Sequence, residues 1–166
     1  MTDSIKKFSD FQLHPALMKA IDAMGYTNCT PIQTRCLPIL LKGQDIAGLA
    51  QTGTGKTAAF LIPMIDRVLR SQEKNEEFPE RVFKDWQDNQ FVLILVPTRE
   101  LVTQVLDNLN QLTAGTGLNS IFLYGGVGYD EQKASLKKPF QFLVSTPGRL
   151  IDLYKEGFVD LKQVRG

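Results

Sequence analysis

The sequence predicts an α/β fold in which a mainly parallel sheet lies between layers of helices. Three observations predict it. A short apolar stretch, Asp45-Ile46-Ala47 with Leu49, leads through a glycine-rich turn into an apolar helical pattern opening at Thr57-Ala58-Ala59-Phe60-Leu61-Ile62. Phe91-Val92-Leu93-Ile94-Leu95-Val96 is a continuous apolar run of the kind that a parallel sheet buries on both faces. From there to Lys155 strand and helix patterns alternate, which implies crossover connections and a sheet covered by helices.

The elements follow in order. Phe8-Ser9-Asp10-Phe11 precedes a first helix with Pro15 in its first turn, an apolar stripe of Leu17, Met18, Ile21 and Met24, and Gly25 at its end. A second helix takes Thr30 as N-cap and Pro31 as first residue, runs through Ile32, Gln33, Cys36, Leu37, Leu40 and Leu41, and stops at Gly43, with Pro38 as a kink point. The helix opening at Thr57 continues through Met64, Ile65, Val68 and Leu69 and carries Pro63 in its interior. Residues 71–90 hold charges of both signs, few aliphatics and the single Trp86, and read as a solvated excursion; Phe83 and Trp86 serve either a partner or the domain's own flank. Arg99 to Leu112 is an amphipathic helix with Leu101, Val102, Val105, Leu109 and Leu112 on one side. Strands at Ser120–Tyr124 and Phe140–Ser145 flank a short polar helix over Asp130–Lys138, and a last helix runs from Pro147 to Lys155, capped by Thr146.

At 166 residues and 43% hydrophobic content the chain is long enough for one sizeable core. Lys plus Arg number 19 against 18 Asp plus Glu, so the net charge of +1 offers a polyanion nothing overall, and any nucleic-acid surface has to be local. Cys29 and Cys36 have no companion ligands at metal spacing and read as two buried thiols, which suits a reducing cytoplasm. No apolar run approaches the roughly 18 residues of a membrane span, and Met1-Thr2-Asp3-Ser4 leads into no signal-type apolar core, so a cytoplasmic protein without a membrane partner is expected. The lone His14 reads as a surface residue at a helix start.

The run Gly48-Leu49-Ala50-Gln51-Thr52-Gly53-Thr54-Gly55-Lys56-Thr57 reads as a phosphate-binding loop. A helix N-terminus leaves backbone N–H groups unpaired and carries partial positive charge, and phosphate oxygens meet both needs. Gly53 and Gly55 let the backbone curl close to the phosphates, Lys56 would reach the β and γ oxygens, the Thr57 hydroxyl would ligate Mg²⁺, and Thr52 and Thr54 line the loop. The general pattern starts with Gly where this chain has Ala50. In open α/β sheets ligands collect at the carboxyl ends of strands, and the turns at Gly53, Pro97-Thr98-Arg99, Gly125-Gly126 and Thr146-Pro147-Gly148-Arg149 are all expected there.

Over nearly its whole length the chain resembles the first RecA-like domain of a DEAD-box RNA helicase, a three-layer P-loop NTPase domain. Phe8, Gly25 seventeen positions on, and Thr30-Pro31-Ile32-Gln33 resemble the adenine-recognition motif, with Cys29 where Pro is frequent. Residues 50–57 are similar to its phosphate loop, Ala50 included. Pro97-Thr98-Arg99-Glu100-Leu101, Gly125-Gly126 and Thr146-Pro147-Gly148-Arg149 resemble its three RNA-facing motifs, and the run from Tyr124 to Asp130 resembles bacterial members that work with RNA-degrading assemblies. Residues 1–43 would then be an adenine-recognition segment and 44–166 the P-loop αβ core.

The resemblance implies an ATP-dependent RNA helicase that separates short duplexes, with ATP and Mg²⁺ as cofactors and RNA, a second RecA-like domain and RNA-processing proteins as partners. It implies a nucleotide set of Phe8, Tyr26, Gln33, Gln51, Thr52, Gly53, Thr54, Gly55, Lys56, Thr57 and Ala58, with Lys56 and Thr57 catalytic and Thr57 at the metal. The implied RNA set is Pro97, Thr98, Arg99, Gly125, Gly126, Thr146, Pro147, Gly148 and Arg149. The chemistry is consistent: a Gln33 amide can accept from the adenine N6 amino group and donate to N7, which guanine with its O6 acceptor cannot match. Phe8 either stacks on the base or anchors the N-terminal segment. Arg99 either meets phosphate or pairs with Glu100 or Asp130. The family's Asp-Glu-Ala-Asp strand would begin where Val164-Arg165-Gly166 stand, so the expectation is a domain truncated before that strand and inactive alone. A P-loop phosphotransferase on a small molecule and a non-catalytic ATP- or RNA-binding module are the competing readings.

Overall fold

The computed structural model describes residues 5–74, 77–126 and 128–166. Met1 to Ser4, Asn75 and Glu76 of the charged excursion, and Val127 of the glycine-rich run lie outside the described residues. The chain divides into two compact units, one up to Asp85 with Gln111–Thr116, the other Trp86–Asn110 with Gly117–Gly166.

In the first unit a 3₁₀ turn, Phe8–Phe11, precedes α1 (Pro15–Ala23), α2 (Pro31–Leu40) and α3 (Lys56–Gln72). Local chemistry sets the helix ends: Pro15 and Pro31 lead their helices, Gly25 leaves α1 at φ +73°, and Gly43 follows α2 at φ +72°. A Cβ on Gly43 would meet Arg67 Nη1 at 2.9 Å, so glycine serves both the turn and the fit against α3. Pro38 and Pro63 sit inside helices that continue past them. The N-terminal segment is laced to the loop after α1 by Phe8 N–H to Thr27 O (3.2 Å) and Cys29 N–H to Lys6 O (2.8 Å).

One sequence expectation changes at the start of α1. His14 is buried rather than on the surface: as N-cap of α1 its Nδ1 accepts from Ala16 N–H, and its Nε2 lies 2.9 Å from Glu73. Most of the 71–90 excursion is exposed, but Phe78 and Phe83 pack against α3, which is the own-flank alternative for Phe83. Phe78 lies under both Arg70 and Arg81, Phe83 lies under Arg67, and Phe83 N–H donates to Ser71 Oγ at 2.7 Å. Arg67 and Arg70 of α3 and Arg81 of the excursion have planar faces that stack on its aromatics, a contact that charge count alone does not reveal.

The second unit holds β1 (Val92–Leu95), α4 (Arg99–Leu112, whose last two residues belong to the first unit), β2 (Ser120–Leu123), α5 (Tyr129–Ser135), β3 (Phe142–Ser145) and α6 (Pro147–Lys155). The strands form a parallel sheet in the order β1-β3-β2, with Leu95 and Leu123 both in register with Ser145. All of β3 is buried because it has a neighbour on each side, whereas Leu95 of β1 is 51% exposed, so the run at 91–96 is not covered on both faces throughout. Leu101 is likewise outside the stripe of α4, whose Val102, Val105, Leu109 and Leu112 are buried. The polar helix is shorter than its sequence pattern, ending at Ser135. Residues 164–166 lie along the outer edge of β1, with Arg165 N–H donating to Phe91 O and Leu93 N–H to Gly166 O, both at 2.9 Å.

No helix among the described residues is long and apolar enough to cross a membrane. Cys29 and Cys36 are buried and unpaired, and burial, with Asp10 nearby, pushes the Cys29 thiol up to about 11. Thiolate is the reactive form. Alkylation by iodoacetamide at pH 8 is therefore expected to leave Cys29 unmodified in the folded chain and to label it once denaturant is added, as mass spectrometry of the tryptic peptide will show.

Candidate functional site

Two constellations stand out, one in each unit. In the first, Gly53 (φ +79°) and Gly55 (φ +88°) turn the backbone into the start of α3, where Gly55 is the N-cap and Lys56 the first helical residue. The loop is closed on itself: Thr54 Oγ donates to Gln51 O at 2.8 Å and Lys56 Nζ donates to Ala50 O. At the start of this 17-residue helix the N–H groups of Lys56, Thr57 and Ala58 precede the first intrahelical bond, which Ala59 makes to Gly55 O. Unpaired donors, the positive end of a long helix and one Lys are groups whose chemistry suits phosphate. Gln51, Thr52 and Gly53 are exposed, Thr54 to Thr57 partly buried and Ala58 buried.

The strand expected before this loop is absent. Residues 45–49 form no regular element, Ile46 is 37% exposed and Leu49 96% exposed. A strand exists only where its N–H and C=O groups find a neighbour, and among the described residues no backbone hydrogen bond joins 45–49 to another strand.

Gln33 is tied to the same loop. It is only 4% exposed; its Oε1 accepts from Thr30 N–H (2.9 Å), completing a capping box at the start of α2, and its Nε2 donates to Gly55 O (3.1 Å). The amide expected to face a base is thus occupied by two internal bonds. A Cβ on Gly55 would lie 2.6 Å from Gln33 Nε2 and 3.0 Å from Thr30 Oγ, so this close approach requires glycine as much as the positive φ does. Phe8 is 1% exposed in this structure. Tyr26, stacked near it at 6.4 Å between centroids, is the 40% exposed member of the pair.

In the second unit, three loops leave the carboxyl ends of three parallel strands that end in register. Pro97, Thr98 and Arg99 follow β1, Gly125 and Gly126 follow β2, and Thr146 to Arg149 follow β3. Thr98 Oγ accepts from Leu101 N–H at 3.3 Å at the start of α4. Gly126 has φ +86°, and a Cβ there would meet Arg99 Nη1 at 3.1 Å, so the first two loops touch. Arg99 also pairs with Glu100 at 3.2 Å, but both side chains are more than 60% exposed, and such pairs are weak. Thr146 is the N-cap of α6 without a side-chain cap bond, which leaves its hydroxyl and the N–H groups of Gly148 and Arg149 for an anion. Pro97, Gly125, Pro147 and Gly148 are exposed. The turn at Gly53, expected at the same edge, follows no strand.

One residue that holds this arrangement escapes sequence reading. Gln132, 3% exposed, donates from Nε2 to Tyr124 O (3.0 Å) and accepts at Oε1 from Tyr124 N–H (3.2 Å), standing in for a further strand where β2 runs into Gly125. Its only sequence signal is a polar residue on the inward side of a polar helix.

The family model described as DEAD/DEAH box helicase matches residues 30–165. The chain is 44% identical over 161 residues to the ATP-dependent RNA helicase RhlB of Photorhabdus laumondii subsp. laumondii, covering 96% of this chain and 36% of that protein. It is 44% identical over 149 residues to RhlB of Xanthomonas oryzae pv. oryzae, covering 90% and 25%. The chain therefore spans about a third or less of the length of these curated relatives. Among solved structures it resembles a hypothetical ATP-dependent RNA helicase from Sulfolobus tokodaii, with a TM-score of 0.73 and 30% identity over 92% of this chain and 40% of that one.

Proposed function

The chain belongs to the DEAD/DEAH box helicase family, and from that premise we propose that it is the nucleotide- and RNA-binding part of an ATP-dependent RNA helicase. The observation that carries this reading is the set of three strand-end loops in register, with Arg99 against Gly126 and the open α6 start at Thr146. Hydroxyls, backbone N–H groups and two arginines on one edge suit the phosphates of a single strand, and contacts of that kind read no base sequence. RNA is thus bound whatever its sequence. In the proposed cycle the loop at 50–57 takes ATP, and closure of a second RecA-like domain bends the gripped strand and parts a short duplex. Work in the cytoplasm and contact with RNA-processing proteins complete the proposal.

Lys56 and the first-turn N–H groups of α3 hold the phosphates. Thr57 stands partly buried in the first turn of α3, one residue after Lys56, and its hydroxyl is the group that would hold Mg²⁺, which would neutralise charge on the β and γ oxygens. Tyr26 offers an exposed ring to the base. Gln33 links base and phosphate recognition, because its amide already spans Thr30 and Gly55, and reading adenine with both amide atoms exchanges both internal bonds for base contacts.

Titration of ADP and GDP tests the nucleotide half. The unmutated chain is expected to prefer ADP, and Gln33→Ala to erode the preference by about 1–3 kcal/mol, the worth of one bidentate base contact. It also removes half of a capping box, lowering stability by about 1 kcal/mol in a thermal melt. Equal affinity of the unmutated chain for the two nucleotides would remove Gln33 from adenine selection.

A further inference from the structure

Arg149 is held by an aromatic ring. It stands in the first turn of α6, and its guanidinium carbon lies 4.6 Å from the ring centroid of Tyr129, the first residue of α5. One of its nitrogens, Nη1, is buried and has no hydrogen-bond acceptor among the described residues. Two carboxylates lie near this ring: Asp152, one turn on from Arg149 in α6, acts on Tyr129 through space and forms no ion pair with Arg149 among the described residues, and Glu156, the C-cap of α6, is engaged elsewhere, accepting from the Tyr129 hydroxyl and pairing with Lys133 at 2.8 Å. Lys133 in turn lies 4.4 Å from the centroids of both Tyr129 and Phe158. The tyrosine is thereby fixed at its hydroxyl and at its ring, and its ring is what holds the guanidinium.

A cation over an aromatic face keeps its charge, whereas one paired with carboxylate is neutralised. Arg67 Nε and Arg81 Nε are also buried without an acceptor, each on an arginine stacked over a ring, so what sets Arg149 apart is its place in the first turn of α6, beside the strand-end loops. An arginine stacked on a ring, with no carboxylate partner among the described residues, holds a preorganised and uncompensated charge beside the open start of α6. We propose that Tyr129 is the positioning residue for Arg149, fixing its guanidinium for contact with the RNA backbone; this rests on the backbone-binding reading above.

The test is binding of a single-stranded oligouridylate across a salt series, using the chain with Arg149→Ala, Tyr129→Phe, Tyr129→Leu, and Tyr129→Leu with Arg149→Ala together. Removing one arginine–phosphate interaction flattens the slope of log affinity against log salt by about 0.7. Arg149→Ala and Tyr129→Leu are each expected to flatten it by that amount, the double variant no further, and Tyr129→Phe, which keeps the ring, not at all. If Tyr129→Leu melts below the assay temperature, Tyr129→Met, also ringless, carries the same expectation. Flattening by Arg149→Ala with an unchanged slope for the ringless variant overturns the positioning role and leaves backbone binding standing. An unchanged slope for Arg149→Ala overturns backbone binding by Arg149, and the positioning role with it. Additive flattening in the double variant means Tyr129 acts independently of Arg149, which also overturns the proposal.

Discussion

Lys56→Ala is expected to raise the dissociation constants for ADP and GDP alike by about ten- to a hundred-fold, because a hydrogen bond to a charged group is worth about 1.5–3 kcal/mol. The loss falls on phosphate and leaves base preference unchanged. In the free chain the ammonium is held by Ala50 O, so its removal touches the loop and little of the core. Gly55→Ala should reach a similar loss by another route. At φ +88° any side chain is strained, and here the added carbon would press on the Gln33 amide and Thr30 hydroxyl. A thermal melt beside the titrations separates the routes: Gly55→Ala should also lower the thermal midpoint, whereas Lys56→Ala should not. Unchanged nucleotide affinity in Lys56→Ala would remove the phosphate-loop role from residues 50–57.

What was legible in the sequence was whatever chemistry acts within a few residues. Pro15, Pro31 and Pro147 with their caps mark helix starts that the structure keeps, and apolar runs mark the strands to within two residues at either end. Strand order was not legible. The runs at 91–96 and 140–145 read alike, yet only the second is central, because order depends on which long-range pairings form. The stretch at 45–49 failed for the same reason in reverse: its composition suits a strand, but a strand is a property of a pair. Residue types in the candidate sites could be read, but their commitments could not. A glutamine suited to adenine looks the same in sequence whether its amide is free or, like that of Gln33, bonded at both ends. Tyr129 and Gln132 give no sequence signal of their roles because their partners lie on other elements, at Arg149, Glu156 and Tyr124.

The largest loss of stability is expected from Asp66→Ala. Asp66 is fully buried on α3, accepts from His14 N–H at 2.6 Å and from Arg70 Nε at 3.0 Å, and lies 4.0 Å from Arg81. Arg70 also donates to Gln12 O, and Arg81 to Phe11 O and Gln12 O, so one carboxylate gathers the N-terminal segment, α3 and the stretch after it. Desolvating such a group weakens the case that the pair itself stabilises the fold, but removing one partner strands the other. With Asp66 gone, Arg70 at 3% exposure keeps its charge without a counter-ion, and His14 N–H loses its acceptor. Breaking a buried pair in this way costs about 3–5 kcal/mol, which for a chain of this size lowers Tm by roughly 6–20 °C. Asp66→Asn retains an acceptor for His14 N–H and should fall in between. Glu73→Ala, which removes only the half-exposed partner of His14, should shift Tm by far less. A melt in which Asp66→Ala moves no further than Glu73→Ala would mean that the 78–83 segment and its arginines are held by their aromatic stacking alone.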